Sequence, residues 1–310
     1  MKSPIFPTLC LFSLLLTALG CPPAGTSRKS EKLQVYTSFH PIYDFATKIA
    51  GEKADIRNLI PPGTDAHDWE PSIAEMMALE NADILFYNGL GMEPWVEKIR
   101  GTLRNQDLQC VQVSDGATLL EGEGVVCTHG GHAHTHAAHD PHIWLSPQNA
   151  KKMGENVKTA LTVADAKNAE YYTENYEKFA AECDRLDDDF RKTLTPLPKK
   201  DIFVSHAGFG YLCHRYGLTQ HAVEGLTSHS DPSPARMAEI IKTAKKHDTR
   251  VIFFETLADP KIALEIAKTV NARTDVLNPY EGLSPEEIAA GEDYFSVMRK
   301  NLTALENALR

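Results

Sequence analysis

The chain has no long apolar run. Nothing in its 310 residues approaches the roughly 18 consecutive apolar side chains of a spanning helix, which excludes a polytopic membrane protein. Basic charge is also short. Lys and Arg number 32 against 42 Asp and Glu, a formal charge of −10, so no surface here neutralises a row of phosphates and nucleic-acid binding drops out. Two catalytic signatures are absent as well, an HExxH helix and a GxSxG nucleophile elbow. Disorder is excluded by composition: ten Tyr, twelve Phe and three Trp accompany a charged fraction of only 24%. Histidine is not scarce. There are thirteen, and they are unevenly spread.

Residues 1–20, MKSPIFPTLCLFSLLLTALG, place one Lys before the apolar stretch Leu9 to Leu19 and then a small Gly20, the plan of an export signal. Cys21 follows at once in the position of a lipobox cysteine, the residue that is acylated and becomes the mature N-terminus. Residues 21–32, rich in Pro, Gly and Ser, then read as a lipid-proximal tether. Export permits disulfides, and Cys110 with Cys127 is the nearest pair; Cys183 and Cys213 lie in apolar helical stripes and read as buried thiols.

From residue 33 strand-like and helix-like stretches alternate: Leu33 to Ser38, His40 to Ala50, Ala54 to Ile60, a helix from about Pro71, Asp83 to Tyr87, and Leu108 to Val113. Such alternation predicts βαβ units and a mostly parallel sheet. It stops at Pro147. After a helix to Val163, apolar residues recur every three or four positions from Tyr172 to Leu194, predicting one helix of about thirty residues that carries Asp187 on its polar face and is ended by Pro196 and Pro198. Alternation resumes at Asp201 and runs to strand Thr274 to Leu277, followed by a last helix from near Ser284, where Ser-Pro-Glu-Glu supplies a cap and first-turn acid. The expected fold is α/β: an N-terminal lobe (33–146) and a C-terminal lobe (199–310), joined by a helical linker (147–198) dominated by one long rigid helix.

Three histidines occupy equivalent places. His67 lies in PPGTDAHDWEP just past the second strand, His142 in DPHIWLSP before a helix, and His206 in FVSHAGFG at a strand's carboxyl end. Carboxyl ends of strands in open α/β sheets border the ligand crevice, so the three are expected to converge in the interlobe cleft. Neutral imidazoles suit Zn²⁺, and three of them with one carboxylate complete a tetrahedron, whereas manganese leans toward oxygen. Glu281 in LNPYEGL is the fourth ligand on this reading, with Glu255 as reserve ligand or outer partner and Asp68 and Glu70 as outer residues orienting the imidazoles. Asn278 stands nearer the strand end but offers only a neutral carbonyl. Ser205 and His206, being adjacent, point to opposite sides of a strand and make a poor nucleophile–base pair. Between the lobes' motifs lies a His-rich loop, residues 127–139. Its His129, His132, His134, His136 and His139, diluted with Gly, Ala and Thr, read as a weak auxiliary metal collector.

Together, PPGTDAHDWEP, the His-rich insertion before DPHIWLSP, SHAGFGYLCHRYGL and LNPYEGL resemble the zinc-binding proteins of bacterial ATP-driven (ABC) metal importers, whose lobes are joined by a single long helix. The resemblance spans essentially the whole mature chain. It implies His67, His142, His206 and Glu281 as ligands of Zn²⁺, a membrane permease as partner, no enzymatic activity and a monomer held near the membrane only by its lipid. His at 206 resembles zinc members, since manganese members commonly carry a carboxylate there. Three alternatives stay open: a manganese or iron homologue of the same transport class, a three-His metallohydrolase with Glu281 as base, and a surface adhesin.

Overall fold

The computed structural model describes residues 32–67, 69–121, 139–226 and 232–310, and the backbone alone of 125–129 and 132–136. The expected export signal, the Cys21 anchor, Asp68 and the side chains of Cys127, His129, His132, His134 and His136 lie outside the described residues.

In the first half, β1 (Leu33–Thr37), β2 (Ala54–Asn58), β3 (Ile84–Tyr87) and β4 (Gln109–Gln112) form one parallel sheet in the order β2-β1-β3-β4. Its crossovers run through α1 (His40–Ala50), α2 (Ile73–Leu79) and α3 (Trp95–Arg100). β3 reads ILFY and is buried throughout, as a strand covered on both faces must be. In the second half β7 (Asp201–Val204) pairs in parallel with β8 (Thr219–Ala222), and β9 (Val251–Phe254) with β10 (Arg273–Val276). Because β7 lies beside β9, the sequence of neighbours β8-β7-β9-β10 repeats the topology of the first sheet. α6 (Gly210–Tyr216), α7 (Pro234–Lys246) and α8 (Lys261–Val270) connect these strands.

Between the halves run α4 (Pro147–Ala164) and α5 (Ala169–Leu194), packed on each other and on α1. α5 has 26 residues, about 39 Å at 1.5 Å per residue, slightly short of the thirty expected. Tyr172, Phe179, Cys183, Leu186, Phe190 and Leu194 form its buried stripe, each large side chain contributing roughly 1.5–3 kcal/mol by leaving water. Phe179 meets Phe45 of α1 at 5.0 Å, and Phe45 meets Tyr294 edge-on at 5.0 Å. One residue departs from its expected face: Asp187 is 3% exposed. It accepts from Tyr216 Oη at 2.8 Å, from Arg191 at 2.7 Å and, through both oxygens, from Arg215. α6 brings Arg215 and Tyr216 against α5, where Tyr216 stacks on Phe190 at 5.0 Å, so a charge that helix periodicity assigns to solvent is buried and compensated instead.

Two further expectations change. The His-rich segment is not a loop in its backbone: β5 (Val125–His129) and β6 (His132–His136) form an antiparallel ladder from Val125↔His136 to His129↔His132. A two-residue Gly-Gly spacing between β-compatible runs is the hairpin signal that the composition obscured. The last helix is two, α9 (Pro285–Ala289) and α10 (Tyr294–Leu309). Gly291 at φ +74° turns the chain, and Asp293 caps α10 through Ser296 N at 2.8 Å. Cys183 and Cys213 are buried as expected; Cys110 is a half-buried thiol, and the side chain of Cys127, with which it was paired as nearest neighbour, lies outside the described residues.

Candidate metal centre

His67 sits on the loop after β2. Gly63, at φ +75°, turns this loop and its N–H donates to Leu283 O at 3.1 Å, tying it to the segment that carries Glu281. Asp65 Oδ1 accepts His67 N at 2.8 Å and closes the local turn. His142 immediately precedes a short 3₁₀ turn, Ile143–Leu145, leading into α4. His206 leaves the end of β7. Glu281 follows Tyr280, which is held at φ +58° and is fully buried. A tyrosine in the left-handed region costs on the order of 1–3 kcal/mol and persists only where its surroundings fix it. Here Asn278 Oδ1 accepts Tyr280 N at 2.7 Å, and Tyr280 Oη donates to Asp44 Oδ2 of α1 at 3.0 Å. Asn278 is therefore a turn-forming residue, clasped in addition by Asn301 at 2.9 and 2.7 Å.

All four expected side chains meet. His67 Nε2 lies 3.3 Å from His142 Nε2, which lies 3.3 Å from His206 Nε2. Glu281 Oε1 stands 3.4, 3.1 and 3.4 Å from the Nε2 atoms of His67, His142 and His206. An ion with bonds of 2.0–2.1 Å at the centre of a tetrahedron separates its ligand atoms by about 3.3–3.4 Å. The observed edges are those of such a shell.

The protonation of the rings points the same way. His142 Nδ1 faces Asp140 Oδ1 at 2.7 Å, and His206 Nδ1 faces Glu255 Oε1 at 2.7 Å. An ionised carboxylate only accepts, so each Nδ1 carries the hydrogen, and in the neutral ring Nε2 turns its lone pair inward. Several lone pairs aimed at one another and at a buried carboxylate oxygen repel unless a cation joins them. Glu281 Oε1 indeed receives no well-formed hydrogen bond among the described residues, although it is buried. Burial pushes the Glu281 carboxyl up, but the imidazoles of His142, His206 and His67 hold it well below the usual carboxylate range. Burial also pushes His206 and His142 down, yet Glu255 and Glu281 raise His206 well above 6.5, and Asp140 and Glu281 raise His142. The site is thus built to keep positive charge at its centre.

Glu255, expected as reserve ligand or outer partner, faces His206 Nδ1 and stands outside the group of four. Glu70, expected to orient an imidazole, is instead exposed and pairs with Lys98 Nζ at 3.3 Å, because Trp69 packs on Trp95 at 5.5 Å and turns the chain outward. Asp140 was missed. The Asp-Pro-His spacing was its signal, since a carboxylate two residues before a histidine can accept both its N–H and its Nδ1–H, at 2.9 and 2.7 Å here. Two glycines were also missed. A Cβ at Gly208 would stand 2.4 Å from His206 Nε2, and one at Gly210 would stand 2.5 Å from Asp140 Oδ2. His139 lies apart from the centre, with Nδ1 3.4 Å from Leu120 O. Beside the centre opens a cavity of about 580 Å³ lined by Asp65, Glu224, Glu255, Asp259 and Glu281 with Lys261, an electronegative approach for a cation.

Fold and site define a two-lobed α/β solute-binding protein whose donor set fits a tetrahedral cation. A family model described as "Zinc-uptake complex component A periplasmic" matches residues 35–308, and the chain belongs to that family of transport proteins, which work with ABC permeases. The high-affinity zinc uptake system protein ZnuA of Bacillus subtilis is 38% identical over 301 residues, 96% of this chain and 94% of that protein. The zinc-binding lipoprotein AdcA of Streptococcus pneumoniae is 36% identical over 278 residues, 89% of this chain but 55% of that longer protein. The crystal structure of the Zn(II)-bound ZnuA-like domain of S. pneumoniae AdcA superposes with a TM-score of 0.76 at 34% identity, covering 90% of this chain and 99% of that one. Among the described residues no helix is long and apolar enough to cross a membrane.

Proposed function

We propose that this protein captures Zn²⁺ outside the cytoplasmic membrane and delivers it to an ABC permease for import. His67, His142 and His206 bind the ion through Nε2 and Glu281 through Oε1. The observation that carries this reading is the shell of inward-facing donor atoms at 3.1–3.4 Å. Three imidazoles favour zinc over manganese, which takes more oxygen. Four protein ligands complete a tetrahedron and leave no position for an activated water, so the site suits holding an ion and not hydrolysis. Asp140 and Glu255 orient the rings. In the same reading, 33–146 and 199–310 are lobes bridged by 147–198, the His-rich segment collects further ions weakly, and a monomeric chain is exported and anchored through lipidated Cys21.

The test is metal content and competition titration of purified protein against a chromophoric chelator. Wild type retains one tightly held zinc, and deletion of 129–139 leaves that ion in place. His67→Ala, His142→Ala and His206→Ala each weaken it, because every loss leaves an incomplete shell. Loss of tight binding on deleting 129–139, or its survival in all three variants, refutes the assignment.

A further inference from the structure

A second meeting of metal-binding side chains lies at the other end of β7. Asp201 begins β7, His221 lies on β8 and His247 ends α7, and one donor atom from each falls within 4.8 Å of the others. His206 follows β7 at its carboxyl end. The five residues from Asp201 to His206 span about 16 Å at 3.3 Å each, so the two clusters are separate. We propose that Asp201, His221 and His247 form a second, open transition-metal site on the surface of the C-terminal half.

The donor set is two imidazoles and one carboxylate, supplied by three different elements. His221 Nε2 lies 2.7 Å from Asp201 Oδ1, and His247 Nδ1 lies 2.9 Å from Asp201 Oδ2. Both rings are oriented in advance. His221 stacks on Phe203 at 4.7 Å with 21° between planes, and the two imidazole rings are 5.4 Å apart. Exchanging the two hydrogen bonds for metal bonds widens these separations toward 3.3 Å, a shift of about half an ångström. Side chains with 22–29% exposure accommodate that. Asp201 and His247 also line a cavity of about 270 Å³, which gives an ion access.

The surrounding charge sets the strength. Lys199 is engaged with Asp248 at 3.1 Å, and Lys200 donates to the last carbonyls of α5, Leu194 O and Thr195 O, at 2.8 and 3.0 Å. Arg250 on the cavity rim is exposed. No excess of carboxylate draws the ion in, so affinity comes from the imidazoles. That selects Zn²⁺, Cu²⁺ or Ni²⁺ over Mg²⁺ or Ca²⁺. With three protein donors the remaining positions hold water, and the ion exchanges more freely than one in the closed, four-ligand cleft.

Crystals of the full chain soaked in zinc chloride test this directly through an anomalous difference map at the zinc edge. A peak within bonding distance of Asp201, His221 and His247 is expected; a map with density in the cleft and none here overturns the proposal. In solution, His221→Gln/His247→Gln lowers the zinc bound at saturation by one equivalent and leaves the cleft affinity unchanged, whereas undiminished stoichiometry refutes it. The crystal measurement uses wild-type protein, so misfolding of the double variant cannot mimic either result. Each site is read by its own peak, so failure at the cleft is distinguishable from failure here.

Discussion

Replacing Gly208 with alanine is the sharpest perturbation the centre offers, because it adds one carbon and removes no ligand. The backbone at Gly208 is outside the left-handed region, so alanine meets no strain of that kind and the effect is steric. Its Cβ would lie 2.4 Å from His206 Nε2 and 2.8 Å from Cε1. Ordinary contact needs about 1 Å more, and the ring has nowhere to go. Nδ1 is held by Glu255 at 2.7 Å, and His206 is 1% exposed. Either the ring swings off the ion or the loop shifts, at a cost of about 1–3 kcal/mol for overpacking. A 1 Å displacement of a bond only 2.0–2.1 Å long amounts to losing that ligand. Zinc affinity should fall by at least the 10–100-fold typical of losing an outer partner. Competition titration with a chelator measures it, and a metal-free thermal melt separates ligand loss from unfolding. Wild-type affinity in Gly208→Ala would refute the geometry described for His206.

Glu255→Gln and Asp140→Asn keep shape but weaken the hold on Nδ1–H, and each should lower zinc affinity about 10–100-fold with little change in the metal-free melt. Protons compete with zinc for Nε2: although burial favours neutral His206, Glu255 and Glu281 raise it well above 6.5 in metal-free protein, so affinity is full at high pH and begins to fall above pH 6.5 as pH drops. A flat titration between pH 5 and 7 contradicts three-imidazole ligation. Asp187→Ala should destabilise the metal-free fold by about 3 kcal/mol in denaturant melts, the low end for breaking a buried pair, since Arg191 can turn to water. Burial pushes the Asp187 carboxyl up, but Arg215 and Tyr216 bring it below 3.8. Its contribution is therefore present above the unfolded value and is lost only as pH falls through the lower folded one.

What the sequence discloses and what it hides divide along a physical line. Strand–helix alternation and the α5 stripe are local, since burial on one face imposes a period, and β1, α1, α4 and β7 fall within a residue or two of expectation. The four residues that meet were legible because each sits in a stretch whose Pro and Gly fix a loop at a strand end. The outer residues were not. Whether Glu255 ligates or orients depends on distance across two strands, and Glu70 faces solvent because of a contact between Trp69 and Trp95. Asp187 shows the same limit from the opposite side: helix periodicity says which face a residue occupies but not which neighbour arrives there. Gly208 and Gly210 matter for the atoms they lack, and a composition reading has no term for space that must stay empty.

The ties across the centre argue that the rings stay close when no ion is bound. Trp144, two residues past His142, donates from Nε1 to Pro279 O at 2.7 Å, and Tyr294 Oη donates to Trp144 O at 2.7 Å. Tyr280 Oη and Tyr294 N both reach Asp44 Oδ2 of α1 at 3.0 Å. Each bond joins the first half of the chain to the segment carrying Glu281 and α10, and the two involving Trp144 are buried, where leaving a donor unpaired costs about 1–3 kcal/mol. Opening the lobes as rigid bodies would break all of them together. Movement of the His67 loop, or of the cavity wall around Asp259 and Lys261, breaks none of those four bonds. Release of the ion would then begin with His67, whose loop is joined to the Glu281 segment by the Gly63–Leu283 bond, while His142 and His206 remain clamped by Asp140 and Glu255. A variant that weakens the Trp144 tie, Trp144→Phe, should accordingly speed zinc dissociation less than Gly63→Pro, which removes that N–H and cannot hold the φ of +75° that turns the loop. Stopped-flow transfer to a chelator would read the order, and the reverse order would mean that the halves separate as bodies.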